Sequence, residues 1–141
     1  MVRELSYGGI QMRPSEDEYY LEIAKAVSKR STCLRRQYGA VIVNNKEIIA
    51  TGYNGAPRGE INCCNTGVCK RVGHAHNDGD YDSCESVHAE MNAIISASRR
   101  DMIGATLYLA GFEDDKLISA TPCPICMRII KNAGIKKVVG T

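Results

Sequence analysis

Two short segments constrain this chain more than anything else in it: His88-Ala89-Glu90, and Pro122-Cys123-Pro124-Ile125-Cys126, whose first cysteine follows the histidine by 35 residues. Cysteines three apart can present both sulfurs from one helical turn, and one imidazole completes a three-donor zinc set. Three protein donors leave the fourth tetrahedral position open, which is the pattern of a catalytic ion rather than a structural one. Glu90 is not needed as a ligand, so its carboxylate is free to move protons. Any fold must therefore bring residues 88–90 and 123–126 together, and the implied chemistry is hydrolytic. A lone Cys-x-x-Cys also suits a redox pair or a zinc knuckle; the preceding proline and the upstream His-x-Glu tip the balance towards a catalyst.

The surrounding pattern alternates strands and helices. Residues 1–13 lack periodicity and contain Gly8-Gly9, so they read as a flexible arm ahead of a single domain over 14–141. Ser15 and Glu18 form a capping box, and Tyr19, Ile23 and Val27 then recur at helical spacing, predicting a helix over about 15–30. Gly39–Val43 and Glu47–Tyr53 are β-branched runs joined by Asn44-Asn45-Lys46, a hairpin signal. From Asn54 to about Glu85 the pattern disappears for longer than a plain connection needs. A helix is predicted from near Val87, capped by Ser86, to Arg99-Arg100, with His88, Met91, Ile94 and Ile95 facing the core. A strand over Ala105–Ala110, a solvated turn at Glu113-Asp114-Asp115-Lys116, a helix over Cys123–Ala133 and a strand over Ile135–Val139 complete the pattern. This order predicts an α/β fold, a three-layer α/β/α sandwich with a mixed central sheet.

Composition excludes several partners. Eighteen basic against 16 acidic residues give a net charge of +2, no field strong enough to announce nucleic acid or a membrane surface. No apolar run approaches the roughly 20 residues of a membrane helix, and the N-terminus lacks a signal pattern, so a cytoplasmic protein is expected. Seven cysteines in such a chain favour metal ligation over disulfides.

Beyond the metal motifs, Arg30-Ser-Thr-Cys33, Gly39-Ala-Val-Ile-Val43, Thr51-Gly-Tyr-Asn-Gly-Ala-Pro57, His88-Ala-Glu-Met-Asn-Ala-Ile94 and Asn132-Ala-Gly-Ile-Lys-Lys137 cover most of residues 13–139. Together they resemble the deoxycytidylate (dCMP) deaminases of the zinc-dependent cytidine/deoxycytidylate deaminase superfamily. The resemblance implies a cytidine deaminase-like fold and hydrolysis of dCMP to dUMP and ammonia, supplying thymidylate synthesis. It implies zinc on His88, Cys123 and Cys126, proton transfer by Glu90, and a sugar-hydroxyl contact from Asn54 in the turn Tyr53-Asn54-Gly55. A monophosphate needs cations, and Arg35, Arg36 and Arg58 lie in the stretches expected near the site. Arg99 is similar to a position tied to subunit contact and regulation. The resemblance further implies a homo-oligomer, a hexamer in many relatives, with dCTP and dTTP as effectors.

The loop 55–84 raises a second metal. Its polar residues bury too little to offset the entropy of ordering, and a structural zinc would supply the difference. Some deaminases that the chain resembles carry one, with ligands matching Cys33 and Cys63; Cys84 and one histidine, taken as His74, complete the expected set, with Cys69 and His76 as rivals. Three other functions use similar parts. A tRNA adenosine deaminase predicts a basic face, a free nucleoside or base deaminase predicts indifference to a 5′-phosphate, and a non-catalytic zinc module binding a partner has no use for Glu90.

Overall fold

Side-chain alternation along one strand builds both cores of this molecule. The computed structural model describes residues 12–69 and 84–141. Within them β1 (Gln37–Asn44) lies between β2 (Glu47–Tyr53) and β3 (Thr106–Glu113), antiparallel to both. The far edge of β3 is shared. β4 (Lys116–Ile118) runs antiparallel along Gly111–Glu113, and β5 (Lys137–Gly140) runs parallel along Thr106–Leu109.

Because successive strand residues face opposite ways, Ala40, Ile42, Leu107 and Leu109 enter one core while Val41, Val43, Tyr108 and Ala110 enter the other. The second core is closed by α1 (Glu16–Ser28) through Tyr20 and Ala24. That helix starts where the capping box predicts, with Ser15 Oγ accepting from Glu18 N at 3.1 Å. After the short α2 (Cys63–Thr66), the first core is closed by α3 (Ala89–Ile95) and, beyond α4 (Arg99–Met102), by α5 (Pro124–Asn132). The result is the expected α/β sandwich with a mixed sheet between helical layers.

Two tight turns set the register. Asn45 and Lys46 (φ 51° and 62°) and Asp114 and Asp115 (φ 51° and 61°) place consecutive residues in the left-handed region, the two-residue hairpin geometry that matches strand twist. Asn44 still pairs with Glu47, so the predicted three-residue connection is one residue shorter.

The predicted helix 87–100 divides. α3 stops at Ile95, and Ser98 begins a new turn by accepting from Asp101 N at 3.4 Å. Ile95 is 75% exposed, against the expectation that it faces the core. Met91 and Ile94 pack at the rim, and the buried face consists of Ala89, Glu90 and Ala93. Small residues are required there because α3 lies directly on Gly52 of β2: a Cβ on Gly52 would stand 2.5 Å from the Ala89 carbonyl oxygen. β3 continues three residues past its predicted end because β4 pairs with it. The long connection is partly tied down by the bridge Gly55–Val87. His74, His76 and nearly all of the predicted N-terminal arm lie outside the described residues. No described helix is long and apolar enough to cross a membrane.

Candidate active site

Two helix beginnings meet at this site. His88 and Cys123 are the N-cap residues of α3 and α5, both extended (φ −68°, ψ 152° and φ −65°, ψ 164°), so each side chain projects from the end of its helix rather than along its flank. Pro124 fits the first turn of α5, where its missing N–H has no helical partner to lose. Cys126 N donates to Cys123 Sγ at 3.4 Å, so one sulfur both caps the helix and faces the histidine.

His88 Nδ1 stands 3.2 Å from Cys126 Sγ and 3.6 Å from Cys123 Sγ, and the donor atoms of all three residues lie within 4.8 Å of one another. A tetrahedral zinc with bonds of about 2.0 Å to nitrogen and 2.3 Å to sulfur holds such donors about 3.5 Å apart. The observed spacings bracket that value, and one nitrogen with two sulfurs suits a borderline-soft ion. The electrostatics agree. Burial pushes the Glu90 carboxyl well above the usual carboxylate range, against the pull of hydrogen bonds from its own backbone and from Cys126. Burial also raises the Cys126 thiol, followed by the charges of Glu90 and Cys123. Three acidic groups sharing one dry corner are what a dication would relieve.

Glu90, only 5% exposed, opens onto a cavity of about 120 Å³ that is also lined by His88, Cys123, Asn54, Arg35 and Arg36. The fold thus gathers most of the residues singled out in the sequence. Asn54 is largely committed: Oδ1 accepts from Tyr38 N at 2.8 Å and from Ser31 Oγ at 2.6 Å, and Nδ2 donates to the Arg36 carbonyl at 3.0 Å. One Nδ2 hydrogen remains for a ligand. Tyr53 and Gly55 lie elsewhere, lining a neighbouring depression with Arg30, Arg58 and Asn92. Arg99 lines neither; its Nε donates to the Asn132 carbonyl at 3.2 Å, tying α4 to the end of α5. Cys33 Sγ lies 3.0 Å from Ser86 Oγ; burial raises its thiol, the hydrogen bond to Ser86 lowers it, and the charges of Cys63 and Cys84 raise it further, but among the described residues only His88, Cys123 and Cys126 bring their donor atoms within 4.8 Å of one another.

Sequence reasoning missed Ser31, Tyr38 and Glu113. Glu113, read as part of a solvated turn, pairs with Arg36 Nη2 at 3.2 Å. Nothing local marks these residues: Tyr38 lines the cavity, strand pairing of Gln37 with Phe112 and Tyr38 with Gly111 brings Glu113 to Arg36, and Ser31 is placed by its hydrogen bond to Asn54.

Such a constellation is that of the zinc hydrolases that release amines from electron-poor rings. Residues 14–141 match the model of the cytidine and deoxycytidylate deaminase zinc-binding region, and the chain belongs to that family. Among its relatives, the deoxycytidylate deaminase of Mycobacterium phage D29 is 41% identical over 133 residues, covering 90% of this chain and 94% of the phage protein. The deoxycytidylate deaminase of Schizosaccharomyces pombe is 42% identical over 132 residues, covering 92% of this chain; the chain spans only 38% of the yeast protein's length. The crystal structure of dCMP deaminase from cyanophage S-TIM5 in complex with dCMP and dUMP superposes with a TM-score of 0.66 at 30% identity, covering 92% of this chain and 83% of that one.

Proposed function

We propose that this chain hydrolyses dCMP to dUMP and ammonia. The observation that carries the reading is Glu90, a carboxylate nearly withdrawn from water, beside three zinc-type donors and on the same cavity as two arginines. The deoxycytidylate deaminases among its relatives support the substrate.

His88, Cys123 and Cys126 would hold the zinc ion, which when bound makes water a nucleophile at neutral pH. Glu90 takes a proton from the attacking water and delivers it to the ring nitrogen beside C4. It then carries a second proton to the amine, so that a C4–O bond replaces the C4–N bond and ammonia leaves. Burial serves this cycle, because a carboxyl of raised proton affinity holds the proton between transfers. Asn54, fixed by Ser31 and Tyr38, offers its remaining Nδ2 hydrogen to a sugar hydroxyl. Arg35 and Arg36 meet the phosphate.

The test is ammonia release from dCMP, dCTP, deoxycytidine and a tRNA substrate side by side. Turnover of dCMP in preference to the rest is expected; preference for tRNA or for unphosphorylated deoxycytidine would overturn the reading. Glu90→Gln keeps shape and zinc while lowering turnover by about three orders of magnitude, within the range for a positioned acid–base group; retained activity would refute the proton shuttle.

The finer parts of the reading are a structural zinc on Cys33, Cys63, Cys84 and His74, a cytoplasmic homo-oligomer, a hexamer, and response to dCTP and dTTP. The charges of Cys63 and Cys84 that act on Cys33 are what supports the zinc, and elemental analysis decides it: near two ions per chain supports it, near one removes it. Exposed Ile95 and Ile61 support assembly, which native mass spectrometry measures, and the depression containing Arg30 and Arg58 suits an anionic effector.

A further inference from the structure

We propose that Glu113 is a positioning residue that sets the preference for a phosphorylated substrate, acting through Arg36; this rests on the dCMP reading above. Arg36 lines the catalytic cavity, and three contacts fix its direction. Its carbonyl accepts from Asn54 Nδ2 at 3.0 Å, Nη2 pairs with Glu113 Oε2 at 3.2 Å, and Nη1 donates to Tyr38 Oη at 3.4 Å. The fourth feature is an absence. Arg36 Nε is buried and has no hydrogen-bond partner among the described residues. A buried cationic N–H left without an acceptor is rare in a finished fold and marks the place where an oxygen arrives from outside. Phosphate is the anionic part of dCMP and the natural match for a guanidinium edge.

The clamp is built into the sheet. Tyr38 on β1 is paired with Gly111 on β3, and a Cβ at Gly111 would stand 2.7 Å from Tyr38 Cε1, so this glycine lets the ring lie across the strand. Two residues on, Glu113 ends β3 beside the start of β1, which brings its carboxylate within reach of Arg36. Glu113 and Tyr38 hold both terminal nitrogens, which keeps the guanidinium at the cavity wall. The β3–β4 turn, which would otherwise be solvated chain, thereby takes part in substrate choice.

The experiment is steady-state kinetics of the zinc-loaded full chain on dCMP and on deoxycytidine, with the thermal midpoint measured for every variant. Glu113→Ala is expected to raise KM for dCMP about ten-fold, the usual scale for losing a charge-assisted contact. Its kcat on dCMP and its kcat/KM on deoxycytidine, which has no phosphate, should stay within about two-fold of the unaltered chain. Glu113→Gln keeps an acceptor oxygen and should recover most of the KM; Tyr38→Phe should show the same selective loss as Glu113→Ala in smaller degree. Parallel losses on both substrates, an unchanged KM for dCMP, or a glutamine variant no better than alanine would overturn the proposal. No turnover of dCMP by the unaltered chain would instead remove the underlying reading of the site.

Discussion

Gly52→Ala should damage chemistry through geometry alone, since Gly52 has no side chain and lines no part of the catalytic cavity. Its position on β2 lies under the first turns of α3, where an added Cβ would press on Ala93 N, stand 2.5 Å from the Ala89 carbonyl oxygen and 2.9 Å from Asn92 C. These are backbone atoms, which cannot rotate away. Restoring ordinary contact requires α3 to retreat by about 1 Å. Overpacking of this kind costs about 1–3 kcal/mol, a fall of roughly 3–10 °C in melting temperature for a domain of this size. The same retreat carries His88 and Glu90 away from Cys123 and Cys126, and a 1 Å misplacement at a reacting centre costs about 100-fold in rate. Gly39→Ala is the matched control: its Cβ would meet Ser28 N at 2.5 Å and the Ala24 carbonyl oxygen, so it displaces α1 on the opposite face of the sheet. Thermal unfolding, ammonia release and zinc retention against a chelator distinguish the two. Both variants should lose stability, but only Gly52→Ala should lose zinc and turnover disproportionately. Equal effects of the two, or a Gly52→Ala protein with unaltered zinc retention, would refute the reasoning.

Two further outcomes follow from the geometry. Cys126→Ser replaces a fully buried sulfur donor with a harder, shorter one and should weaken zinc retention by more than about 100-fold, read by elemental analysis after dialysis against chelator; full retention would mean the ion is held elsewhere. Alkali should unfold the chain through α1. Burial raises Tyr108 and Tyr20 above their ordinary value of 10.0, helped at Tyr108 by its hydrogen bond to Asp17 Oδ1 at 2.8 Å and at Tyr20 by the charge of Glu16. Groups raised in the folded state contribute stability that is whole below the unfolded value and is lost as pH climbs past it. Melting temperature should therefore decline from about pH 10 upward, and less steeply in Tyr108→Phe; identical slopes would exclude this pair as the cause.

The parts of this fold that were legible in the sequence are those written in local chemistry. Ser15 and Glu18 announce the start of α1, Asn45 and Lys46 the first turn, and the two metal motifs the cluster of His88, Cys123 and Cys126, because each motif depends on residues only a few positions apart. What was not legible depends on tertiary approach. The apolar run through Ile95 reads as one helix, yet the chain breaks at Ser96–Ser98 because Ser98 offers a fresh cap and Ile95 meets no core. The buried face of α3 is marked by alanines rather than large side chains, a pattern that makes sense only once Gly52 lies beneath it. Tyr53 and Gly55 sit in the same short turn as Asn54, but a turn presents its residues to different sides, and only Asn54 reaches the catalytic cavity. Glu113 has no signature at all until β1 and β3 pair.

The sulfur of Cys123 that closes α5 also gives the site a spectroscopic window. Its partner, the backbone amide of Cys126, senses whatever that sulfur is bound to, since electron density drawn off towards a cation is density no longer shared with the N–H. The nitrogen-15 resonance and exchange rate of a single amide would thus register loading of the centre without a label placed on any side chain.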